Sequence, residues 1–370
     1  MWIYEQPVRI IFGNGEIQGL KNIVKENSYK RGLLVTSNFF VRNNLAKKLL
    51  NDKRNNLVNV FGEVLPNPTI LNTNKCAEIV RENNIDFIVA LGGGSVIDCA
   101  KAAGAFASQD RNLKSYSDIK DILFEKNIPI IAIPTTSGTG SEVTCVSVIT
   151  DENDNKKFPI ASKSFYPKVA IIDPELTYTL GECVTASTGI DILCHAIEGY
   201  WSKNHQPVCD ALAIYSAKLV FEYLERAYKN PNDKIAREKL SEASTIAGLA
   251  FTLPKTTSSH ACSFLLTSKY NIPHGEACGL TIDYFTRFNG KKDDRVRYLA
   301  NSLGFKSIDN MADRIYELKK NLGLLVDLKH LNLKKEDLIE LVENSKVSNL
   351  YNNPIEIANN DLLDLYSSLI

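Results

Sequence analysis

Apolar residues in the first half of the chain come in short unbroken runs, separated by segments with helical spacing. The stretches "RGLLVTS", "NLVNVFGEV", "DFIVALGGGS" and "IPIIAIPTT" read as strands. The last two are apolar enough to be buried on both faces. Between them, "FFVRNNLAKKLLN", "ILNTNKCAEIVRENN" and "VIDCAKAAGAFA" read as helices, with Ile70, Cys76, Ile79 and Val80 forming one apolar face of the second. This alternation predicts parallel strands joined by crossover helices. From about Thr185 the strand-like runs vanish. Long Ala- and Leu-rich helical segments such as "CDALAIYSAKLVFEYLERAYK" replace them. The expected organisation is an N-terminal α/β domain with a parallel sheet over residues 1–181, then an all-α C-terminal domain over residues 182–370.

Composition narrows the function classes. Hydrophobic residues make up 44% and charged ones 23%, as in an ordinary globular protein. The formal net charge is zero, whereas nucleic-acid binders carry a basic excess, so no nucleic-acid partner is expected. Eight cysteines are scattered without a CxxC pair, which disfavours both a disulfide framework and a thiolate zinc site. The opening "MWIYEQPVRIIFGNG" has an acid and a proline where a signal peptide has an apolar core. No apolar run approaches the roughly 18 residues of a membrane helix. A cytoplasmic location with no membrane partner is the expectation.

Two loops carry candidate ligand chemistry. "ALGGGSVIDCAK" puts Gly92, Gly93 and Gly94 where a buried strand gives way to a helix. A backbone without Cβ atoms can approach a phosphate closely, and the helix N-terminus favours an anion. Ser95 suits the N-cap and Asp98 the first turn. The pattern is not GxGxxG, and a plain strand–helix turn would look similar. The second loop, "PTTSGTGSE", offers hydroxyls at Thr135, Thr136, Ser137, Thr139 and Ser141. Two such loops at neighbouring strand ends build a crevice for a dinucleotide, which makes the first domain a candidate nucleotide-binding domain.

A third group lies in the helical half. In "TGIDILCHAIEGYW", Asp191 and His195 stand four residues apart and share one helix face. Such a pair can grip a divalent ion from one side, and it can equally be a surface hydrogen bond. His260 and His274, in "TTSSHACSFLLTSKYNIPHGEACG", could complete the set. One carboxylate with three imidazoles suits Fe²⁺ or Zn²⁺ better than Mg²⁺ or Ca²⁺. His205 and His330 read as ordinary surface histidines.

Taken in order, "GGGSVIDCAK", "PTTSGTGSE", "TGIDILCHAIEGY" and "IPHGEAC" resemble the iron-containing (group III) alcohol dehydrogenase family, as do "FGNG" and "PNPT". The resemblance covers nearly the whole chain. It implies a nucleotide-binding α/β domain and a helical domain with the active site in the cleft between them. It implies a metal held by Asp191, His195, His260 and His274, either Fe²⁺ or Zn²⁺. It carries the family's cofactor contacts onto Asn67, Gly93, Gly94, Ser95, Asp98, Thr135, Thr136, Thr139 and Lys157. The implied function is NAD(P)-linked reduction of a small aldehyde, or oxidation of the alcohol, by a homodimer. The alternatives are a simple short-chain alcohol or diol dehydrogenase on the same scaffold and a noncatalytic nucleotide-binding sensor.

The chain departs from the family pattern at three places. Many relatives carry an Asp after the second strand that bonds the adenosine ribose; here Ser37 stands there, which leaves NAD(H) and NADP(H) both open. Many relatives place a His one helical turn after the third ligand; here it is Phe264, which cannot move a proton. The residues before that ligand are mostly apolar or small in relatives. Here they are Thr256, Thr257, Ser258 and Ser259, with Lys255 ahead. These hydroxyls read either as a helix N-cap run or as contacts to an anionic head group. The second reading leans the substrate, with Phe264 lining the same pocket, toward phosphonoacetaldehyde or sulfoacetaldehyde.

Overall fold

The structure is a computed structural model that describes residues 1–109, 112–153 and 156–370. It divides into two compact units, one of residues 5–136 and 141–177, the other of residues 1–4, 137–140 and 178–370. The helical unit therefore takes in a short stretch of the second hydroxyl-rich loop.

The α/β unit holds a six-stranded parallel sheet in the order β1-β8-β5-β4-β2-β3. Its strands are β1 (Arg9–Phe12), β2 (Gly32–Thr36), β3 (Leu57–Phe61), β4 (Phe87–Gly92), β5 (Ile130–Pro134) and β8 (Val169–Ile172). An antiparallel pair, β6 (Val146–Asp151) and β7 (Lys156–Ala161), stands apart from it. The helices are α1 (Leu20–Glu26), α2 (Asn38–Arg42), α3 (Leu45–Asn51), α4 (Ile70–Glu82), α5 (Gly94–Phe106) and α6 (Tyr116–Ile119). The continuous apolar run of β4 follows from burial on both faces. Ile88 and Ala90 join a core with α4 and α5, while Phe87, Val89 and Leu91 join a second core with α1 and α3. The helix expected over "FFVRNNLAKKLLN" is broken into α2 and α3 at Asn44, whose φ of 67° is left-handed. β1, β8 and the β6–β7 pair were not foreseen.

A buried lysine ties the hydroxyl-rich loop to α5. Lys101 is fully buried, and its Nζ donates to Ser141 O at 2.7 Å, Ser141 Oγ at 2.9 Å, Thr144 Oγ1 at 3.1 Å and Val146 O at 2.8 Å. Burial pulls this ammonium down to about 8, against the opposing charge of Asp98. One turn earlier, Asp98 accepts from Ser141 Oγ at 2.6 Å and from the Val148 N–H at 3.0 Å.

The helical unit comprises α7 (Glu182–Trp201), α8 (Pro207–Lys229), α9 (Lys234–Phe251), α10 (Ser258–Ser268), α11 (His274–Gly290), α12 (Asp294–Ser302), α13 (Ile308–Asn321), α14 (Lys335–Asn344), α15 (Ser348–Tyr351) and α16 (Asn359–Ser368). Its axis is α7, buried from Thr185 to Trp201 on almost every side, with α8, α9 and α11 packed around it. A helix apolar all round is a central one. No helix of the described residues is long and apolar enough to cross a membrane. Replacing Lys101 with Met would leave four acceptors, three of them buried, without this donor. The expected loss in unfolding free energy is roughly 3–5 kcal/mol, measured by urea denaturation.

Candidate active site

Asp191, His195 and Glu198 project from one face of α7, spaced four and three residues apart. His260 sits in the first turn of α10, and His274 is the first residue of α11. Helix α11 comes close enough because Gly275 lacks a side chain: a Cβ there would lie 1.9 Å from the Ser187 carbonyl oxygen and 2.8 Å from Asp191 Cβ. Asp191, His260 and His274 therefore meet inside the helical unit, with His195 beside Asp191 and His260. His260 Nε2 lies 3.7 Å from Asp191 Oδ1, and His195 Nδ1 lies 4.0 Å from Asp191 Oδ2. The His195 and His260 ring centroids are 4.7 Å apart, and those of His260 and His274 are 5.5 Å apart.

Three of these polar atoms are buried without a hydrogen-bond partner: Asp191 Oδ1, His195 Nδ1 and His260 Nε2. Separations of 3.7–4.0 Å are too long for a hydrogen bond. They match two donors that each lie about 2.0–2.2 Å from a shared cation. A carboxylate with imidazoles is also a donor set that Fe²⁺ or Zn²⁺ accepts. The residues fit a divalent metal.

Electrostatics agree with that reading. Burial pushes Asp191 up to about 7, against the pull of His260 and with the Glu198 charge adding. Burial holds His195 well below the usual imidazole range, with His260 and His274 reinforcing it. His260 is raised, because the Glu198 carboxylate outweighs the effect of burial. A cation would relieve the crowding of a carboxylate in an apolar core.

Three residues of this region were not singled out from the sequence. Cys278, one turn after His274, brings its sulfur into the same group: it, Asp191, His260 and His274 each offer a donor atom within 4.8 Å of the others. Its i+4 spacing from His274 was the available signal. Phe251 stacks on His195 at 4.2 Å and 10°. Glu198 contacts His260 Nδ1 through Oε2, and its spacing from His195 was legible on a helical wheel.

The hydroxyl run before His260 makes hydrogen bonds within the helical unit. Thr256 Oγ1 accepts from Asn349 Nδ2 at 2.7 Å. Thr257 Oγ1 accepts from Trp201 Nε1 at 2.7 Å and donates to Glu198 Oε1 at 2.8 Å. Ser258 Oγ donates to Asn353 Oδ1 at 3.0 Å. The hydroxyls of Thr256, Thr257 and Ser258 are thus engaged within the protein. Ser259 Oγ, also buried, has no hydrogen-bond partner. Lys255 is exposed, and Phe264 is half-buried one turn beyond His260.

In the α/β unit, Gly93, Gly94, Ser95, Thr135, Thr136 and Ser37 gather at the carboxyl ends of β4, β5 and β2. The structure caps α5 with Gly93, not Ser95. Ser95 Oγ instead accepts from the Asn67 N–H at 3.2 Å, and Asn67 is left-handed at φ 54°. A Cβ on Gly93 would stand 3.1 Å from Thr136 Oγ1, so the two loops touch. Lys157 lies on β7, in register with Thr150, whose N–H donates to Pro68 O at 2.9 Å. Both carboxylate oxygens of Asp98 hold the 141–148 segment. Thr139 belongs to the stretch 137–140 of the helical unit, where Gly138 N–H donates to Ser244 Oγ at 2.8 Å. Outside these groups, His205 pairs with Asp210 at 3.1 Å on the surface, and His330 is exposed.

Comparison with known proteins places this geometry. The family model for iron-containing alcohol dehydrogenase matches residues 7–174, and that for the C-terminal part of the Fe-containing alcohol dehydrogenase family matches residues 185–370. The solved structure of sulfoacetaldehyde reductase from Bifidobacterium kashiwanohense in complex with NAD⁺ is similar at 50% identity and a TM-score of 0.96, covering 100% of this chain and 98% of that one. Alcohol dehydrogenase 4 of Schizosaccharomyces pombe is 32% identical over 97% of this chain and 86% of its own length. The aldehyde-alcohol dehydrogenase of Streptococcus pneumoniae is 34% identical over 90% of this chain, which spans only 41% of that longer protein. The chain belongs to the iron-containing alcohol dehydrogenase family.

Proposed function

We propose that this protein is a metal-dependent, NAD(P)-linked alcohol dehydrogenase that reduces a small aldehyde, with a lean toward an anionic one. The observation that carries the reading is the convergence of three buried, unpartnered donor atoms, on Asp191, His195 and His260. Asp191, His195, His260 and His274 would hold Fe²⁺ or Zn²⁺. When bound, such a cation supplies Lewis acidity at an aldehyde oxygen, and a reduced nicotinamide supplies the hydride.

The chain's own residues position and shield. Gly93 and Gly94 offer backbone N–H groups at the N-terminus of the 13-residue α5 for a pyrophosphate. Asn67, Ser95, Thr135, Thr136, Thr139 and Lys157 complete the proposed nucleotide contacts. Ser37 closes β2 without a carboxylate, which leaves either nicotinamide cofactor acceptable. Phe264 brings no proton to the turn after His260, so the product's proton would come from water, a ribose hydroxyl or another side chain. The anionic lean rests on Ser259, the one hydroxyl of its run without a partner, and on the likeness to a sulfoacetaldehyde reductase. A homodimer in the cytoplasm is part of the proposal. Edge strand β1 offers a surface for it, since Ile10 and Phe12 are 37% and 38% exposed.

Oxidation of NADH and NADPH by metal-loaded enzyme should be followed with acetaldehyde, butyraldehyde, sulfoacetaldehyde and phosphonoacetaldehyde. Turnover with the anionic pair is expected to lead. Preference for the neutral pair would favour a simple short-chain dehydrogenase, and no oxidation with any would favour a nucleotide sensor. His260→Ala should lose bound metal, and its turnover should fall by more than the roughly 10–100-fold that outer-shell partners cost. Full metal occupancy in that variant would sink the site. In metal-free protein, Asp191 stays protonated up to about 7 when folded but only to about 4 when unfolded. Its contribution to stability is therefore present at low pH and is lost as pH rises across that window. Asp191→Asn should flatten this decline, seen by comparing urea unfolding at pH 5 and pH 8. Sedimentation equilibrium should return twice the 41.2 kDa chain mass; a monomer mass would remove the dimer.

A further inference from the structure

Glu198 is fully buried, and among the described residues its one ion-pair partner is His260. Its two oxygens do different work. Oε1 accepts from the backbone N–H groups of Thr257 at 3.2 Å, Ser259 at 2.7 Å and His260 at 3.4 Å, and from Thr257 Oγ1 at 2.8 Å. This oxygen satisfies two of the orphan donors of α10, whose cap residue Thr257 supplies no side-chain cap bond. Oε2 meets His260 Nδ1. An imidazole that donates from Nδ1 to a carboxylate keeps its lone pair on Nε2. His260 Nε2 is the atom that faces Asp191 Oδ1 at 3.7 Å without a hydrogen bond.

We propose that Glu198 is a positioning residue of the metal site, fixing both the tautomer and the ring orientation of His260 while pinning the helix that carries it. The inference rests on the reading of Asp191, His195, His260 and His274 as metal ligands. A neutral isostere cannot do both tasks. Four donors converge on Oε1, so the amide of Glu198→Gln turns its oxygen to them and its NH₂ toward His260 Nδ1. The imidazole then accepts at Nδ1 and carries its proton on Nε2, the atom the metal needs. Outer-shell partners of this kind are worth roughly 10–100-fold in metal affinity.

The test has two arms. In zinc-loaded wild type, spectra of ¹⁵N-histidine-labelled protein should show the His260 proton on Nδ1. A proton on Nε2 overturns the proposal without any variant, which matters if Glu198→Gln fails to fold. Zinc affinity, measured by competition with a chelator, should fall roughly 10–100-fold in Glu198→Gln. Thr257→Val removes one donor to Oε1 and leaves Oε2 in place. It should lower the melting temperature while zinc affinity stays within about twofold, which separates positioning from packing. Unchanged affinity in a folded Glu198→Gln overturns the proposal. A wild type that binds no zinc or iron at all would instead overturn the metal-site reading beneath it.

Discussion

A carboxylate in an apolar helix core must be answered by dipoles, by a proton or by a cation. Helix α7 carries two of them, Asp191 and Glu198, on one face and both buried. The helical unit is arranged around their different answers. Glu198 is met by the N-terminus of α10 and by an imidazole, so its charge is fully engaged. Asp191 faces two imidazole nitrogens across gaps too long for hydrogen bonds, and one of its oxygens has no partner. The first carboxylate builds the scaffold. The second keeps an unpartnered buried oxygen of the kind a divalent metal would satisfy. Gly275 belongs to the same arrangement, since any side chain there would push α11 and His274 away from Asp191.

The α/β unit solves a different problem with the same economy. Its parallel strands end at one edge, so loops far apart in sequence become neighbours. Gly93 reaches Thr136 because β4 and β5 pair in register from Ile88↔Ile130 to Gly92↔Pro134, and Asn67, in the loop after β3, reaches Ser95 at the same edge. Beneath that edge, Lys101 and Asp98 fasten the hydroxyl-rich loop to α5 from inside. Two residues of the glycine-led motif thus hold the neighbouring loop from within. Sequence spacing does not reveal this role, because it names no partner for either side chain.

The sequence by itself determined the fold class, the strand–helix alternation and the shared helix face of Asp191 and His195. Those follow from local physics: burial on both faces makes β4 and β5 continuous apolar runs, and i,i+4 spacing puts Asp191 and His195 on one side of α7. Short elements escaped it, since four residues of β1 or β8 hold too little pattern to read. The left-handed Asn44 that splits α2 from α3 was equally silent. Only the tertiary structure decided what each polar side chain faces. The Thr256–Ser258 hydroxyls, which the sequence left open between a helix N-cap run and contacts to an anionic group, are engaged by Asn349, Trp201, Glu198 and Asn353, residues up to 95 positions away. Glu198 and Cys278 stood at helical spacing from recognised ligands, yet their significance depended on α10 and α11 crossing α7. A hydrogen bond is specified by two partners and an angle, and a linear sequence names only one of them at a time.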